Sequence, residues 1–260
     1  MRLFDLTELG KFATFVPNKK LPIYRWFYFK EGFSRELVRF IIKKFKMEPV
    51  VLDPFCGSGT TLLVCKELGY DCIGYDVSDL AVFVSKAKTM NYDIEKLLSI
   101  KNMIKKEKFK PVATRVDKKI RKFFNPHTLQ DILFFRDMIE DIESNEYYFF
   151  KLALITSAIK CSYVFKDGSV LKVVKKPVPP FRKFFLKQID RMIRDLKKLK
   201  TKECNIIIEK RDARDIKLSN EISSVITSPP YLNKIEYTKV YRIEKYLFFS
   251  KDIKLSLIHI

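Results

Sequence analysis

The stretch Pro49–Thr61 reads PVVLDPFCGSGTT and decides the fold class. Its first five residues are an apolar run of the strand type, and residues Thr61–Leu68 after the two glycines have the pattern of a helix. A second apolar run, Asp71–Val77, precedes a second predicted helix at Ser78–Met90. Strands that alternate with helices in this way form parallel sheets, so we predict an α/β fold.

The two glycines between the first strand and its helix favour a ligand-binding turn. Gly57 and Gly59 lack a Cβ, so the backbone can turn tightly and approach a ligand, and the following helix N-terminus offers free N–H groups. Asp76 ends the second strand, where nucleotide-binding α/β proteins place a carboxylate on ribose hydroxyls. No lysine follows Gly59 and residue 62 is Leu, so neither a Walker loop nor a full GxGxxG is present. We therefore predict a site for a nucleoside without a pyrophosphate, against the alternative of an ordinary strand-to-helix turn.

The chain carries 51 Lys and Arg against 31 Asp and Glu, a net charge of +20. This excess predicts a polyanionic partner, nucleic acid first and an anionic membrane surface second, although a lysine-rich composition alone would also produce it. A hydrophobic content of 47% excludes wholesale disorder. Five cysteines without paired spacing and only two histidines argue against a metal site, and the lack of a long apolar run predicts a cytoplasmic protein.

The regular alternation of strands and helices stops after the second helix. Residues 85–203 are mostly helical by pattern and basic, with aromatic residues interleaved among Lys and Arg, as in PFRKFFLKQ. Strand-like runs resume at Cys204–Ile216 and at Ser223–Tyr231, the second of which ends in SPPY. We predict a core formed by residues 1–84 and 204–260, and a large helical insertion at 85–203.

Four segments at predicted strand ends resemble the amino-methylating, S-adenosylmethionine-dependent DNA methyltransferases. They are DPFCGSGTT (53–61), GYDVSDLA (74–81), RDARD (211–215) and TSPPYLN (227–233). The resemblance implies a Rossmann-like class I methyltransferase sheet, with S-adenosyl-L-methionine as cofactor and double-stranded DNA as partner. It also implies that the insertion is a possible target-recognition region and that the protein acts in a restriction system.

The SPPY segment implies methyl transfer to an exocyclic base amine, whose lone pair is delocalised into the ring. Acceptors on both N–H bonds restore the lone pair, and Ser228 Oγ and the Pro229 carbonyl can serve as these acceptors. Pro229 and Pro230 stiffen the loop, and Tyr231 offers a flat face for an extruded base. In this family Ser before the prolines is typical of cytosine-N4 enzymes, and Asp or Asn of adenine-N6 enzymes. We expect cytosine N4, with adenine N6 or an RNA base as alternatives.

The resemblance also assigns a cofactor site. Asp53 is expected to orient the glycine loop and Phe55 to line the methionine side of the cofactor. Asp212 is expected to contact the adenine, with Asp215 as a competing candidate, and Phe29–Phe33 resembles a segment that closes over the cofactor or forms a hydrophobic plug. No metal is expected. The full set of predicted cofactor-binding residues is Asp53, Phe55, Gly57, Gly59, Thr60, Asp76 and Asp212.

The chain departs from this family after the SPPY strand. A complete fold needs about three more strands there. Only 29 residues follow Tyr231, so we expect C-terminal strands to be missing. A truncated or split gene product, a second chain that completes the fold, or a frame-shifted end would each explain this, and a non-catalytic DNA-binding subunit is the remaining alternative.

Overall fold

A computed structural model describes residues 7–113, 116–167, 170–216, 222–230 and 240–249. The chain divides into two compact units. The first unit contains residues 1–90 and 195–230, and the second contains residues 91–194 and 231–260. The division predicted from the sequence, a core at 1–84 and 204–260 with an insertion at 85–203, remains a prediction. Its boundaries differ from those of the two compact units.

The first unit is built on four parallel strands. They are β1 (Val51–Asp53), β2 (Cys72–Asp76), β5 (Ile206–Lys210) and β6 (Ser224–Val225), and they lie in the order β5-β2-β1-β6. Leu52 pairs with Ile73 on one side and with Val225 on the other. The α/β class with a parallel sheet is confirmed. Because every strand runs in the same direction, the carboxyl ends of all four meet at one edge of the sheet.

Helices α1 (Arg35–Phe45), α2 (Thr60–Leu68) and α3 (Asp79–Thr89) belong to the same unit. Ser34 caps the N-terminus of α1: its Oγ accepts a hydrogen bond from the N–H of Leu37 at 3.2 Å. Nearly all of α2 and α3 is buried, as expected for helices that pack against a parallel sheet. Three 3₁₀ turns precede α1, at Thr7–Phe12, Val16–Lys20 and Tyr24–Trp26.

The second unit is mainly helical and has an aromatic core. Phe135, Phe149, Phe150 and Phe185 are all fully buried there. No helix in the described part of the chain is long and apolar enough to cross a membrane. Its helices are α4 (Ile94–Lys106), α5 (Lys118–Arg121), α6 (Pro126–Glu140), α7 (Glu146–Lys160), α8 (Phe181–Lys198) and α9 (Arg242–Phe248). Its two strands, β3 (Val164–Asp167) and β4 (Val170–Val173), are antiparallel. The last residues of α8 belong to the first unit.

Candidate active site

The glycine loop leaves the carboxyl end of β1 and enters α2. Gly57 and Gly59 both have left-handed backbone conformations, with φ of 52° and 76°. A Cβ on Gly59 would lie 2.9 Å from Ser85 Oγ and 3.0 Å from Ser85 Cα, so no larger residue fits without displacing α3. The Cys56 N–H donates to the Tyr75 carbonyl at 2.9 Å, which fixes the loop to β2. The predicted tight turn is therefore present, and it lies between β2, to which it is hydrogen-bonded, and Ser85 of α3.

Asp76 connects the loops that follow β1 and β2. Its Oδ2 accepts a hydrogen bond from the Gly57 N–H at 3.0 Å, and its Oδ1 accepts one from the Ser78 N–H at 2.9 Å. The side chain is half-buried, and an ionised carboxylate can accept several hydrogen bonds at once. Asp76 thus lies where the sequence places it, and it also has a structural role in ordering the glycine loop.

Asp53 is a buried carboxyl group at the end of β1. Its Oδ1 accepts a hydrogen bond from the Phe55 N–H at 3.2 Å, but its buried Oδ2 has no hydrogen-bond partner. Burial raises the pKa of Asp53 to about 7. The nearby Thr61 hydroxyl and the Phe55 amide oppose this shift, and the Asp76 carboxylate adds to it. A buried carboxylate with incomplete hydrogen bonding is costly, so the ionised form of Asp53 is poorly solvated.

The N-terminal segment reaches the glycine loop through Phe29. The Cε1 atom of its ring lies 3.2 Å from the position that a Cβ on Gly57 would take. The predicted approach of Phe29–Phe33 to the cofactor loop is thus seen at Phe29. Phe55 is half-buried in the loop itself, and Thr60 begins α2 without any side-chain cap on the helix N-terminus.

Asp195 holds the N-terminal segment in place and was not predicted from the sequence. It is fully buried and accepts hydrogen bonds from Arg25 Nε at 2.9 Å, Trp26 Nε1 at 3.1 Å and the Ile23 N–H at 3.4 Å. Its other oxygen accepts from Arg25 Nη2. The available signal was its position three residues after buried Met192 on the apolar face of α8, where an aspartate needs partners.

Ser228, Pro229 and Pro230 follow β6 and are exposed. The Ile226 N–H donates to the Leu52 carbonyl at 3.0 Å, so pairing with β1 continues up to two residues before Ser228. Neighbouring strands of a sheet lie about 4.8 Å apart, so this segment and the glycine loop leave the same sheet edge side by side. Tyr231, the fourth predicted catalytic residue, lies outside the described residues.

Asp212 lies after β5, next to the end of β2. The Arg211 N–H donates to the Asp76 carbonyl at 3.1 Å, which brings this segment to the same edge. Hydrogen bonds from the Arg214 side chain and amide lower the pKa of Asp212 to about 2. Asp212 therefore remains ionised. The competing candidate, Asp215, is exposed at the end of the following 3₁₀ turn.

Two further observations bear on the chemistry of this edge. Cys56 is buried and burial raises the pKa of its thiol, so it is a packing residue. Within the ranges that the structure describes, no cluster of His, Cys, Asp and Glu could hold a metal ion.

The known proteins that match this chain are DNA methylases and Type II methyltransferases. Residues 12–87 match a family model described as DNA methylase. The chain is 29% identical to the Type II methyltransferase M.BsoBI of Geobacillus stearothermophilus, over 90% of this chain and 54% of that protein. It is 26% identical to M.AvaI of Nostoc sp., over 94% of this chain and 57% of that protein, and a segment covering 28% of this chain is 40% identical to M.MjaII of Methanocaldococcus jannaschii, where it covers 14%.

The resemblance to the amino-methylating DNA methyltransferases is confirmed by these matches. The chain spans about half the length of the first two relatives. No solved structure matches it. The family model covers methylation at both N6 and N4, so it does not distinguish the two base amines.

Proposed function

We propose that this relative of the amino-methylating DNA methyltransferases transfers a methyl group from S-adenosyl-L-methionine to an exocyclic amine in duplex DNA, as the modification activity of a restriction system. One observation supports this most strongly. The glycine loop after β1 and the Ser228–Pro230 segment after the adjacent β6 leave the same edge of a parallel sheet. A donor on the first loop would then lie beside an acceptor on the second.

The residues of the glycine loop fit a donor of this type. The two left-handed glycines let the backbone approach a nucleoside, and Asp76 has acceptor capacity for ribose hydroxyls. The donor is a cation that bears an electrophilic sulfonium methyl group and an ammonium group, and the carboxyl groups of Asp53 and Asp76 beside the glycine loop provide complementary negative charge. Phe55, Thr60 and Asp212 complete the proposed binding surface.

The acceptor side of the site needs only groups that the loop after β6 carries. Ser228 Oγ and the Pro229 carbonyl accept hydrogen bonds from the two N–H bonds of the base amine and so favour a localised lone pair on its nitrogen. Pro229 and Pro230 limit the movement of the loop, because the ring of proline fixes φ. With the donor methyl placed in line, proximity and orientation account for most of the rate. Stacking of the base on Tyr231 remains part of this proposal.

The choice of base rests on Ser228. Serine before the two prolines supports cytosine N4 as the acceptor, and adenine N6 is the second candidate because the family model includes both. Mass spectrometry of nucleosides from cells that express the chain separates them by a 4-methylcytosine or a 6-methyladenine peak. Ser228→Ala should reduce turnover at least tenfold with little change in donor affinity, and Ser223→Ala, an exposed serine at the start of the same segment, is the matched control. Equal losses in both variants would contradict the role of Ser228.

A non-catalytic DNA-binding subunit remains a second candidate, because the sheet has no strand beyond β6 among the described residues. Among the described residues β6 is an edge strand, and we propose that further strands from a longer chain or a second chain pair with it. Titration with S-adenosylmethionine distinguishes the candidates, since a pure binding subunit does not need an intact donor loop. Efficient methylation of duplex DNA by the isolated chain as a monomer would show that no further strands are required.

A further inference from the structure

The two strands β3 and β4 form a hairpin with two chemically different faces. Their register pairs Val164 with Val173, Phe165 with Lys172, Lys166 with Leu171 and Asp167 with Val170. Because side chains alternate along a strand, Val164, Lys166, Leu171 and Val173 share one face, while Phe165, Asp167, Val170 and Lys172 share the other.

The first face is fixed to the second unit. Val164 is buried, and Lys166 Nζ donates to Glu244 Oε1 at 2.7 Å while it lies 4.2 Å from the centre of the Tyr241 ring. The base of the hairpin is held by a hydrogen bond from the Tyr163 N–H to the Phe123 carbonyl at 2.7 Å. The hairpin is therefore attached in a defined orientation through this face.

The second face is exposed and combines apolar and charged groups. Phe165 is 48% exposed and Val170 is 56% exposed, and Lys172 forms a surface ion pair with Asp167 at 2.6 Å. The chain continues from β4 into Lys175 and Lys176, which are exposed and form no ion pair with any described residue. An exposed apolar patch is thus presented to solvent, and two exposed lysines follow it directly in the chain.

We propose that this exposed hairpin face, with Phe165, Val170 and Lys172, binds a groove of duplex DNA together with Lys175 and Lys176, which follow it in the chain. The inference deepens the proposed function, on which it rests, by identifying the element that holds the substrate. A two-stranded ribbon fits the major groove, which is about 12 Å wide. Lys175 and Lys176 can contact phosphates, while Phe165 and Val170 can pack on sugars or thymine methyl groups. The net charge of +20 favours a polyanionic partner for these lysines.

Salt dependence of DNA binding tests the charged part of the inference. The full chain is titrated against a labelled duplex of random sequence at several salt concentrations, and Lys175→Ala/Lys176→Ala is compared with Lys43→Ala/Lys46→Ala. The control removes two exposed lysines from the region of α1, in the other unit, so the net charge changes equally. The hairpin variant should lower the slope of log K against log salt by about 2, because each lost phosphate contact removes about 0.9. The control should keep the slope of the unmodified chain.

A second comparison tests the apolar part. Phe165→Ala should weaken binding about tenfold at fixed salt, because it removes the largest apolar side chain of the exposed hairpin face. Phe45→Ala on α1 removes a phenylalanine of the same exposure, 48%, and should leave the affinity unchanged. Acetylation of lysines with and without DNA gives a readout that needs no variant, since bound duplex should protect Lys175 and Lys176 but not Lys43.

The outcomes separate the hairpin from the reaction. If the unmodified chain binds duplex DNA but the hairpin and α1 variants behave alike, the hairpin inference is wrong and the proposed reaction still stands. A chain without salt-dependent duplex binding would overturn both the hairpin inference and DNA as the substrate. Hairpin-dependent binding to vesicles of phosphatidylserine and phosphatidylcholine, without hairpin-dependent DNA binding, would likewise refute the inference in favour of a membrane surface.

Discussion

Replacing Asp53 with asparagine should stabilise the protein at neutral and alkaline pH and at the same time weaken binding of the methyl donor. The Asp53 carboxyl is 1% exposed and one of its oxygens has no hydrogen-bond partner, so its ionised form is poorly solvated. Asparagine has nearly the same shape and never ionises. The substitution therefore removes a buried charge without creating a cavity.

The size of the effect follows from the pKa of Asp53. Burial raises this pKa from 3.8 to about 7, so between these values the unfolded chain releases a proton that the folded chain keeps. The free energy of unfolding consequently falls as pH rises through this window, whereas below 3.8 and above 7 both states carry the same charge. Two pH units of the window lie above pH 5, which corresponds to about 3 kcal/mol at 1.36 kcal/mol per unit.

Urea unfolding followed by the fluorescence of Trp26 provides the assay. Trp26 is the chain's one tryptophan and is buried in the same unit as Asp53, so its signal reports the unit that contains the site. The difference in unfolding free energy between Asp53→Asn and the unmodified chain should grow by about 3 kcal/mol from pH 5 to pH 8. Asp71→Asn, at an exposed aspartate before β2, is the control and should show a constant difference.

Donor binding should change in the opposite direction. The affinity of the unmodified chain for S-adenosylmethionine should increase as pH rises through about 7, because an ionised Asp53 adds negative charge beside the glycine loop, where the cationic donor is proposed to bind. Asp53→Asn should bind the donor more weakly and without this pH dependence in calorimetric titration. A stability difference that stays the same between pH 5 and pH 8, or a variant that retains the pH-dependent affinity, would refute the assigned role of the buried carboxyl.

Three further substitutions have expected outcomes. Gly59→Ala should destabilise the first unit by about 2 kcal/mol or more in urea unfolding, through the cost of a left-handed alanine and its clash with Ser85; an unchanged midpoint would contradict the described loop. Asp195→Asn should lower the free energy of unfolding by about 3 kcal/mol and make residues 15–33 sensitive to limited proteolysis, because it removes the charge that pairs with Arg25. The control Asp190→Asn, on the exposed side of the same helix, should have neither effect. Lys88→Met should raise the urea midpoint at pH 6, and this increase should shrink toward pH 10. Burial lowers the pKa of Lys88 to about 7, so the stability of the unmodified chain rises with pH above that value. An increase in the midpoint that does not depend on pH would count against this explanation.

The sequence predicts the sheet and its edge better than the contacts that support them. The apolar runs ending at Asp53 and Asp76 are unambiguous because parallel strands are buried on both faces. The SPPY loop is likewise placed by the strand before it. Asp195 could not be predicted as an anchor, because its partners in the Ile23–Trp26 segment are about 170 residues away and only the folded chain shows them together.

Short-range rules also missed the hairpin of β3 and β4. The KDGS sequence at 166–169 is a recognisable turn signal, but the flanking strands have only four residues each and lie within a region of helical pattern. Short strands carry little periodicity, so the alternation of Phe165 and Lys166 resembles any mixed surface segment. Their assignment depends on the attachment of Lys166 to Glu244, a contact between residues far apart in the chain.

The distribution of charge connects the two binding tasks that the proposed reaction requires. The chain as a whole is strongly basic, yet Asp53 and Asp76 end β1 and β2, and Asp212 lies two residues after β5. An acidic edge attracts a cationic donor, while a basic surface attracts the polyanionic substrate. Methyl transfer removes the sulfonium charge, so the carboxylates of this edge attract the product less strongly than the donor. The same carboxylates that hold the donor would then favour exchange of the product for a new donor after each turnover.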